Sequence, residues 1–128
     1  MDEQGEFLTP ISIQIKLPTS KRIHRFGLRT RSDTDKIKRW LLRGRNEDGI
    51  LHLVYNPNAH ITNVADRYIV GTVKYFDVPL RRALSYQYYH LDITEVDSRN
   101  SHLNYFQLFS LDEIIEMPVS SDGSYINT

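Results

Sequence analysis

Residues 11–17 alternate apolar and polar side chains without interruption, and this alternation constrains the fold more than any other feature of the chain. Isoleucine or leucine occupies each odd position, and serine, glutamine and lysine occupy the even positions. Successive side chains of a β-strand point to opposite faces, so a period of two predicts a strand with one buried face. The chain is therefore expected to contain a sheet that covers an apolar core.

The segments that follow predict a hairpin covered by a helix. Residues 18–20 (Pro-Thr-Ser) are typical of a turn, and residues 23–30 predict a returning strand with arginines on its outer face. Residues 32–44 begin with capping and acidic side chains, carry apolar residues at helical spacing and end with basic residues and a glycine. We expect a short amphipathic helix there.

The rest of the chain predicts more strands and a last helix. Apolar, β-branched and aromatic runs predict strands at residues 49–55, 68–78, 86–96 and 103–109, with a loop or one helical turn at 59–66. Ser110 and Glu113 form a capping box that predicts a short final helix. The predicted order is β-β-α-β-β-β-β-α, an α+β fold on a mostly antiparallel sheet.

Length and composition predict one domain. The 128 residues suit a single globular unit, which we place at residues 11–118, with a flexible acidic N-terminus at 1–10 and a flexible polar tail at 119–128. The absence of cysteine excludes disulfides and fits an intracellular location, cytoplasmic or nuclear. No apolar stretch reaches the roughly 18 residues that a membrane span needs.

No catalytic or cofactor-binding motif stands out. The five histidines lack metal-ligand spacing, and helix capping explains the carboxylates of Asp33 and Asp35. The chain contains no nucleophile elbow and no glycine-rich phosphate loop. We therefore expect no catalytic residue, no metal and no cofactor, and a protein that is not an enzyme.

Charge is divided unevenly along a chain whose formal net charge is zero. Residues 16–45 contain eleven basic and two acidic side chains, whereas residues 85–128 contain seven acidic side chains and one arginine. Such asymmetry favours association with a charged partner. The candidate binding residues lie on the predicted hairpin and helix: Arg25, Arg29, Arg31, Lys36, Arg39 and Arg43.

The basic surface has three interpretations. We expect a protein-protein interaction module that docks an acidic protein surface, with a second copy of the chain among the candidates and a homo-oligomer as the result. The alternative is binding of nucleic acid or anionic lipid by the same cations. The third interpretation is a solvated face that the acidic second half of the chain balances internally. Tyr86, Tyr88 and Tyr89 are expected to pack in a core or protein interface, because acidic residues follow them closely.

One stretch of sequence resembles a known family. Residues 13–26 read Ile-Gln-Ile-Lys-Leu-Pro-Thr-Ser-Lys-Arg-Ile-His-Arg-Phe, and Ser-Asp-Thr-Asp-Lys-Ile and Trp-Leu follow at 32–37 and 40–41. The pattern resembles ubiquitin-like β-grasp domains of the UBX type over residues 11–57. That resemblance implies a protein-binding adaptor without catalysis. UBX domains contact a hexameric AAA ATPase through a Phe-Pro-Arg turn, which Tyr-Asn-Pro-Asn replaces here at 55–58.

Overall fold

The computed structural model describes residues 6–98, 101–110 and 116–117. Within these ranges the chain forms seven strands: β1 (Glu6–Thr30), β2 (Ile37–Arg45), β3 (His52–Tyr55), β4 (Lys74–Asp77), β5 (Ser85–Val96), β6 (Leu103–Ser110) and β7 (Glu116–Met117). The helical segments of the same ranges are α1 (Pro57–His60) and the 3₁₀ helices Val64–Arg67 and Leu80–Arg82. None of these helices has the length and apolar character that crossing a membrane requires.

The strands form two antiparallel sheets that share β1. The first sheet has the order β3-β2-β5-β1 and uses residues 6–22 of β1. The second sheet uses residues 23–30 of the same strand, which pair with β4 on one side and with β6 on the other, and β7 follows β6. The long strand β1 thus passes from one sheet into the other, and the core lies between the two sheets.

The predicted hairpin turn at residues 18–20 is an irregularity inside β1. The pairing of β1 with β5 shifts its register between Lys16 and Lys21. Pro18 cannot donate a backbone hydrogen bond, so it interrupts the ladder. Leu17 and Ile23 are both fully buried on either side of the interruption. The chain therefore continues as a strand, because the segments before and after Pro18 each bury apolar side chains.

The predicted helix at residues 32–44 is wrong. Most of this segment is β2, in which Trp40, Leu42 and Gly44 are buried at a period of two. The register of the pairing with β5 shifts between Ile37 and Trp40. These two buried residues are therefore three positions apart, which is the spacing of a helix. The capping residues instead build the turn before β2, where the Ser32 hydroxyl donates a hydrogen bond to the Asp35 carboxylate at 3.1 Å.

The α+β assignment is therefore wrong as well, and the chain is nearly all β. The residues that resemble the helix of a UBX domain form β2, which is hydrogen-bonded between β3 and β5. The ubiquitin-like β-grasp interpretation is wrong for the same reason. Among the residues that the structure describes, no helix of seven residues or more packs on either sheet.

The other predicted strands have mixed outcomes. The strands predicted at 11–17, 86–96 and 103–109 are confirmed within β1, β5 and β6, and the strand at 49–55 is shortened to β3. The long strand predicted at 68–78 is reduced to β4, because Ile69 forms a single bridge with Ile37 before the chain turns away. The predicted final helix falls largely on residues 111–115, which lie outside the described residues, as do residues 1–5 and the tail at 119–128.

Four aromatic rings join the two sheets at the centre of the core. The Phe26 ring of the second sheet lies 5.9 Å from the Trp40 ring and 5.4 Å from the Tyr55 ring, both of the first sheet, measured between ring centroids. Phe76 of β4 stacks on Phe26 at 5.3 Å and meets the edge of Trp40 at 5.0 Å. Each such pair contributes about 0.5–1.5 kcal/mol beyond its buried area.

The tyrosines of β5 pack as expected. Tyr86, Tyr88 and Tyr89 are all buried. The Tyr86 ring lies over Gly44 of the neighbouring strand β2, where a side chain would have no space. The ring packing thus requires a glycine at position 44.

We predict that Gly44→Ala lowers the free energy of unfolding by about 1–3 kcal/mol, because the added Cβ would overlap the buried Tyr86 ring. Denaturation in urea measures the effect. The matched control is the same substitution in a Tyr86→Leu background, where the cost should shrink. An equal loss in both backgrounds would contradict the ring contact as the cause.

Candidate functional site

The basic and acidic blocks of the sequence meet in space. β2 carries cations of the basic block and lies beside β5, which carries carboxylates of the acidic block. Ion pairs connect the two blocks: Arg39 with Glu95 at 3.2 Å, Arg43 with Asp92 at 2.7 Å, and Lys38 with Asp97 at 3.3 Å. The charge asymmetry along the chain is therefore balanced between neighbouring strands, as the third interpretation expected.

The six candidate binding residues do not share one face. Arg25 and Arg29 lie in the second sheet, where Arg25 Nε donates to the Asp77 carboxylate at 2.8 Å and Arg29 Nε donates to the Asn104 amide oxygen at 3.1 Å. Arg39 and Arg43 lie in the first sheet. Arg31 and Lys36 lie on the turn between β1 and β2. Their role in binding stays a prediction.

A polar network covers part of the first sheet. The Arg45 guanidinium lies 3.8 Å from the centre of the Tyr88 ring, and its Nε donates to His90 Nε2 at 3.0 Å. Because His90 Nε2 accepts this bond, Nδ1 carries the proton and donates to the Ser12 hydroxyl at 3.1 Å. Burial lowers the pKa of His90, and the nearby Arg45 charge lowers it further. The network thus holds His90 neutral.

An open depression lies at the side of the molecule, where the edge strands β3 and β4 face each other. Its volume is about 550 Å³. The walls are formed by side chains of both edge strands and of the segment between them: Tyr55, Ile61, Asp66, Lys74, Tyr75, Phe76 and Asp77. This is the concave surface that we take as the candidate site.

The loop wall of the depression is fixed to the core by hydrogen bonds. Trp40 Nε1 donates to the Arg67 carbonyl at 2.8 Å, and Arg67 Nε donates to the Ile61 carbonyl at 2.8 Å. Lys74 Nζ donates to the Ala65 carbonyl at 3.3 Å. Burial lowers the pKa of Lys74, with the charge of Asp66 opposing the shift. The wall is therefore held by the same tryptophan that fills the core.

The site presents one open ring and several polar groups. Tyr75 of β4 is 54% exposed, while its neighbour Phe76 is buried. The Tyr55 hydroxyl has no hydrogen-bond partner in the described ranges, and burial, aided by the Asp77 charge, raises its pKa, so it remains protonated. The Asp66 side chain is exposed. These groups can stack on a flat ligand and exchange hydrogen bonds with it.

The sequence signal for this site was the alternation in β4. Residues 74–77 read Lys-Tyr-Phe-Asp, and their burial pattern places Phe76 inward and Tyr75 and Asp77 outward. The sequence does not reveal that β4 lies at the edge of its sheet, so the exposure of Tyr75 could not be predicted from this pattern. Clusters of histidine and carboxylate suited to a metal ion do not occur in the part of the chain that the structure describes.

A search of known proteins finds a likeness in fold. The structure resembles the crystal structure of a selenomethionine-labelled mutant of chitosan-binding module 1, derived from a chitosanase/glucanase of Paenibacillus sp. IK-5, with a TM-score of 0.53 and 16% sequence identity. The match covers 77% of this chain and 66% of that one, just under two thirds. No protein-family model and no curated protein matches the sequence. At this identity the likeness concerns the fold.

The partners expected from the sequence need correction. An acidic protein surface, a second copy of the chain and nucleic acid are wrong as partners, because the similar solved structure is a chitosan-binding module. The likeness also replaces the ubiquitin-like adaptor interpretation with a sheet-rich fold. The paired charges agree with this correction, since cations such as Arg39 and Arg43 already contact carboxylates of the chain.

We predict that the free energy of unfolding falls as the pH drops below about 6.5, in part because of His90. The folded state lowers the pKa of His90, so the unfolded chain binds a proton at this residue first as the pH falls. The stability that comes from neutral His90 is therefore present above the pKa of the unfolded chain and is lost as the pH falls towards the lower pKa of the folded chain. Arg45 and Arg43 oppose protonation, and Asp92 favours it. Urea denaturation at several pH values should show a weaker pH dependence for His90→Gln.

The control for this experiment is His102→Gln, which replaces an exposed histidine. Its pH dependence should stay closer to that of the wild type. If His90→Gln retains the full wild-type pH dependence, the Arg45 and His90 network does not hold the histidine neutral.

Proposed function

We propose that the protein is a non-catalytic carbohydrate-binding domain whose ligand occupies the depression between β3 and β4. The fold supports a binding domain, because the similar solved structure is a chitosan-binding module. The depression supports a ligand site, because it combines an exposed ring, polar side chains and a concave surface.

The exposed Tyr75 ring is the observation that carries this proposal. The C–H face of a sugar packs on an aromatic ring, and its hydroxyl groups need both donors and acceptors at the rim. Tyr75 supplies the open ring. The Tyr55 hydroxyl and the Lys74 ammonium supply donors, and the carboxylates of Asp66 and Asp77 supply acceptors.

The site is also held in shape before a ligand arrives. Asp77 is oriented by Arg25 at 2.8 Å, and the loop wall is tied to the core through Trp40. A ligand that enters loses less of its binding free energy to ordering of the protein. An adequate affinity then needs only a few contacts, which suits a shallow site for a sugar.

We predict that Tyr75→Ala weakens glycan binding by roughly two- to twelvefold, because loss of a stacked ring costs about 0.5–1.5 kcal/mol. Isothermal titration calorimetry with oligosaccharides of chitosan, of N-acetylated chitosan and of cellulose measures the change. The matched control is Leu84→Ala, since Leu84 has the same exposed fraction of 54% and does not line the depression.

Wild-type protein and Leu84→Ala should bind with equal affinity. The proposed function would be contradicted if the wild type binds none of these glycans. The proposed location would be contradicted if Tyr75→Ala binds as well as the control.

A further inference from the structure

Three aromatic rings lie on the outer face of the second sheet, next to the depression. Tyr75 belongs to β4, and Tyr105 and Phe109 belong to β6, on the other side of β1. The Tyr75 and Phe109 ring centroids are 5.9 Å apart at an angle of 65°. We name these three residues the ring strip. It begins at Tyr75, which also lines the depression.

Gly27 of β1 lets the rings meet across the central strand. A Cβ at this position would lie 2.9 Å from Tyr75 Cε1 and 3.2 Å from Tyr105 Cε1. Both rings therefore lean over the glycine and cover its backbone. The rings of Tyr75 and Tyr105 therefore approach each other across β1, where a larger residue would have separated them. Tyr75 is exposed, and Tyr105 and Phe109 are half-buried.

Two arginines lie beside the ring strip, and each contacts another side chain of the chain. Arg25 contacts the Asp77 carboxylate at 2.8 Å. Arg29 donates to the Asn104 amide oxygen at 3.1 Å, and its guanidinium lies 5.6 Å from the centre of the Tyr105 ring. Asn104 is neutral, so Arg29 leaves one positive charge beside the rings, whereas Asp66 and Lys74 in the adjoining depression carry opposite signs. A ligand of strong charge of either sign therefore meets a like charge along the two surfaces.

We propose that the ring strip binds successive units of an extended, uncharged polysaccharide chain that continues from the depression. The proposal rests on the proposed function and adds the class of ligand, a chain bound along its length instead of a single terminal sugar. Continuity supports it, since Tyr75 belongs to both surfaces. One unit contacts Tyr75 at the depression, and a later unit contacts Tyr105.

The test compares short and long ligands. Isothermal titration calorimetry is carried out with the disaccharide and the hexasaccharide of N-acetylated chitosan and of cellulose. The hexasaccharide is expected to bind roughly tenfold more tightly than the disaccharide, because it reaches the second ring. Tyr105→Ala is expected to remove this gain and to weaken the hexasaccharide far more than the disaccharide, whereas Tyr75→Ala weakens both ligands.

A second variant guards against misfolding. Tyr105→Leu keeps an apolar side chain over Gly27 but removes the ring, and it should lose the hexasaccharide gain as Tyr105→Ala does. Thermal melting followed by circular dichroism confirms that each variant is folded. The fully deacetylated hexasaccharide, which carries positive charge, should bind more weakly than its N-acetylated counterpart.

The outcomes separate the two proposals. Equal affinity for the disaccharide and the hexasaccharide, or a hexasaccharide affinity that survives loss of the Tyr105 ring in a folded variant, overturns the ring strip and leaves the depression as a site. Tighter binding of the deacetylated hexasaccharide overturns the uncharged ligand class. If the wild type binds neither length of either glycan, the proposed function fails together with this inference.

Discussion

The contact among Phe26, Trp40, Tyr55 and Phe76 is the interaction on which the rest of the structure depends. These rings are contributed by both sheets and hold them together. Two of them, Tyr55 and Phe76, also line the candidate site, and the indole N–H of Trp40 fixes the wall of that site through the Arg67 carbonyl. The core and the site therefore share the side chains of Tyr55 and Phe76.

The passage of β1 between the two sheets places the outer surfaces. Its first part pairs with β5, beside which β2 brings the basic residues to the acidic ones. Its second part carries Gly27 between β4 and β6, so that rings from both neighbours meet over it. One face of the molecule thus carries the ion pairs between β2 and β5, and the other presents the exposed ring of Tyr75 beside the half-buried rings of Tyr105 and Phe109. The aromatic face is the better candidate for binding a sugar chain.

Strands could be predicted from the sequence where apolar and polar side chains alternate because one face of the strand is buried, as at residues 11–17. The helix prediction at 32–44 was wrong because the capping residues and the spacing of Ile37 and Trp40 fit a helix locally. The segment forms a strand because it pairs with β3 and β5, which the local sequence does not reveal. The uneven distribution of charge could be read from the sequence. That the basic and acidic residues form ion pairs with each other could not, because it depends on which strands are neighbours. Tyr75 was missed because its exposure follows from the edge position of β4.

The most direct test of glycan binding at this face is a titration of isotope-labelled protein with the N-acetylated hexasaccharide, followed by backbone amide chemical shifts in nuclear magnetic resonance spectra. We predict that the perturbed amides cluster in residues 61–66, in β4 and around Gly27. Perturbations centred on β2 and on the part of β5 that holds Tyr88 and His90 would contradict the assignment, as would a spectrum that does not change at saturating sugar.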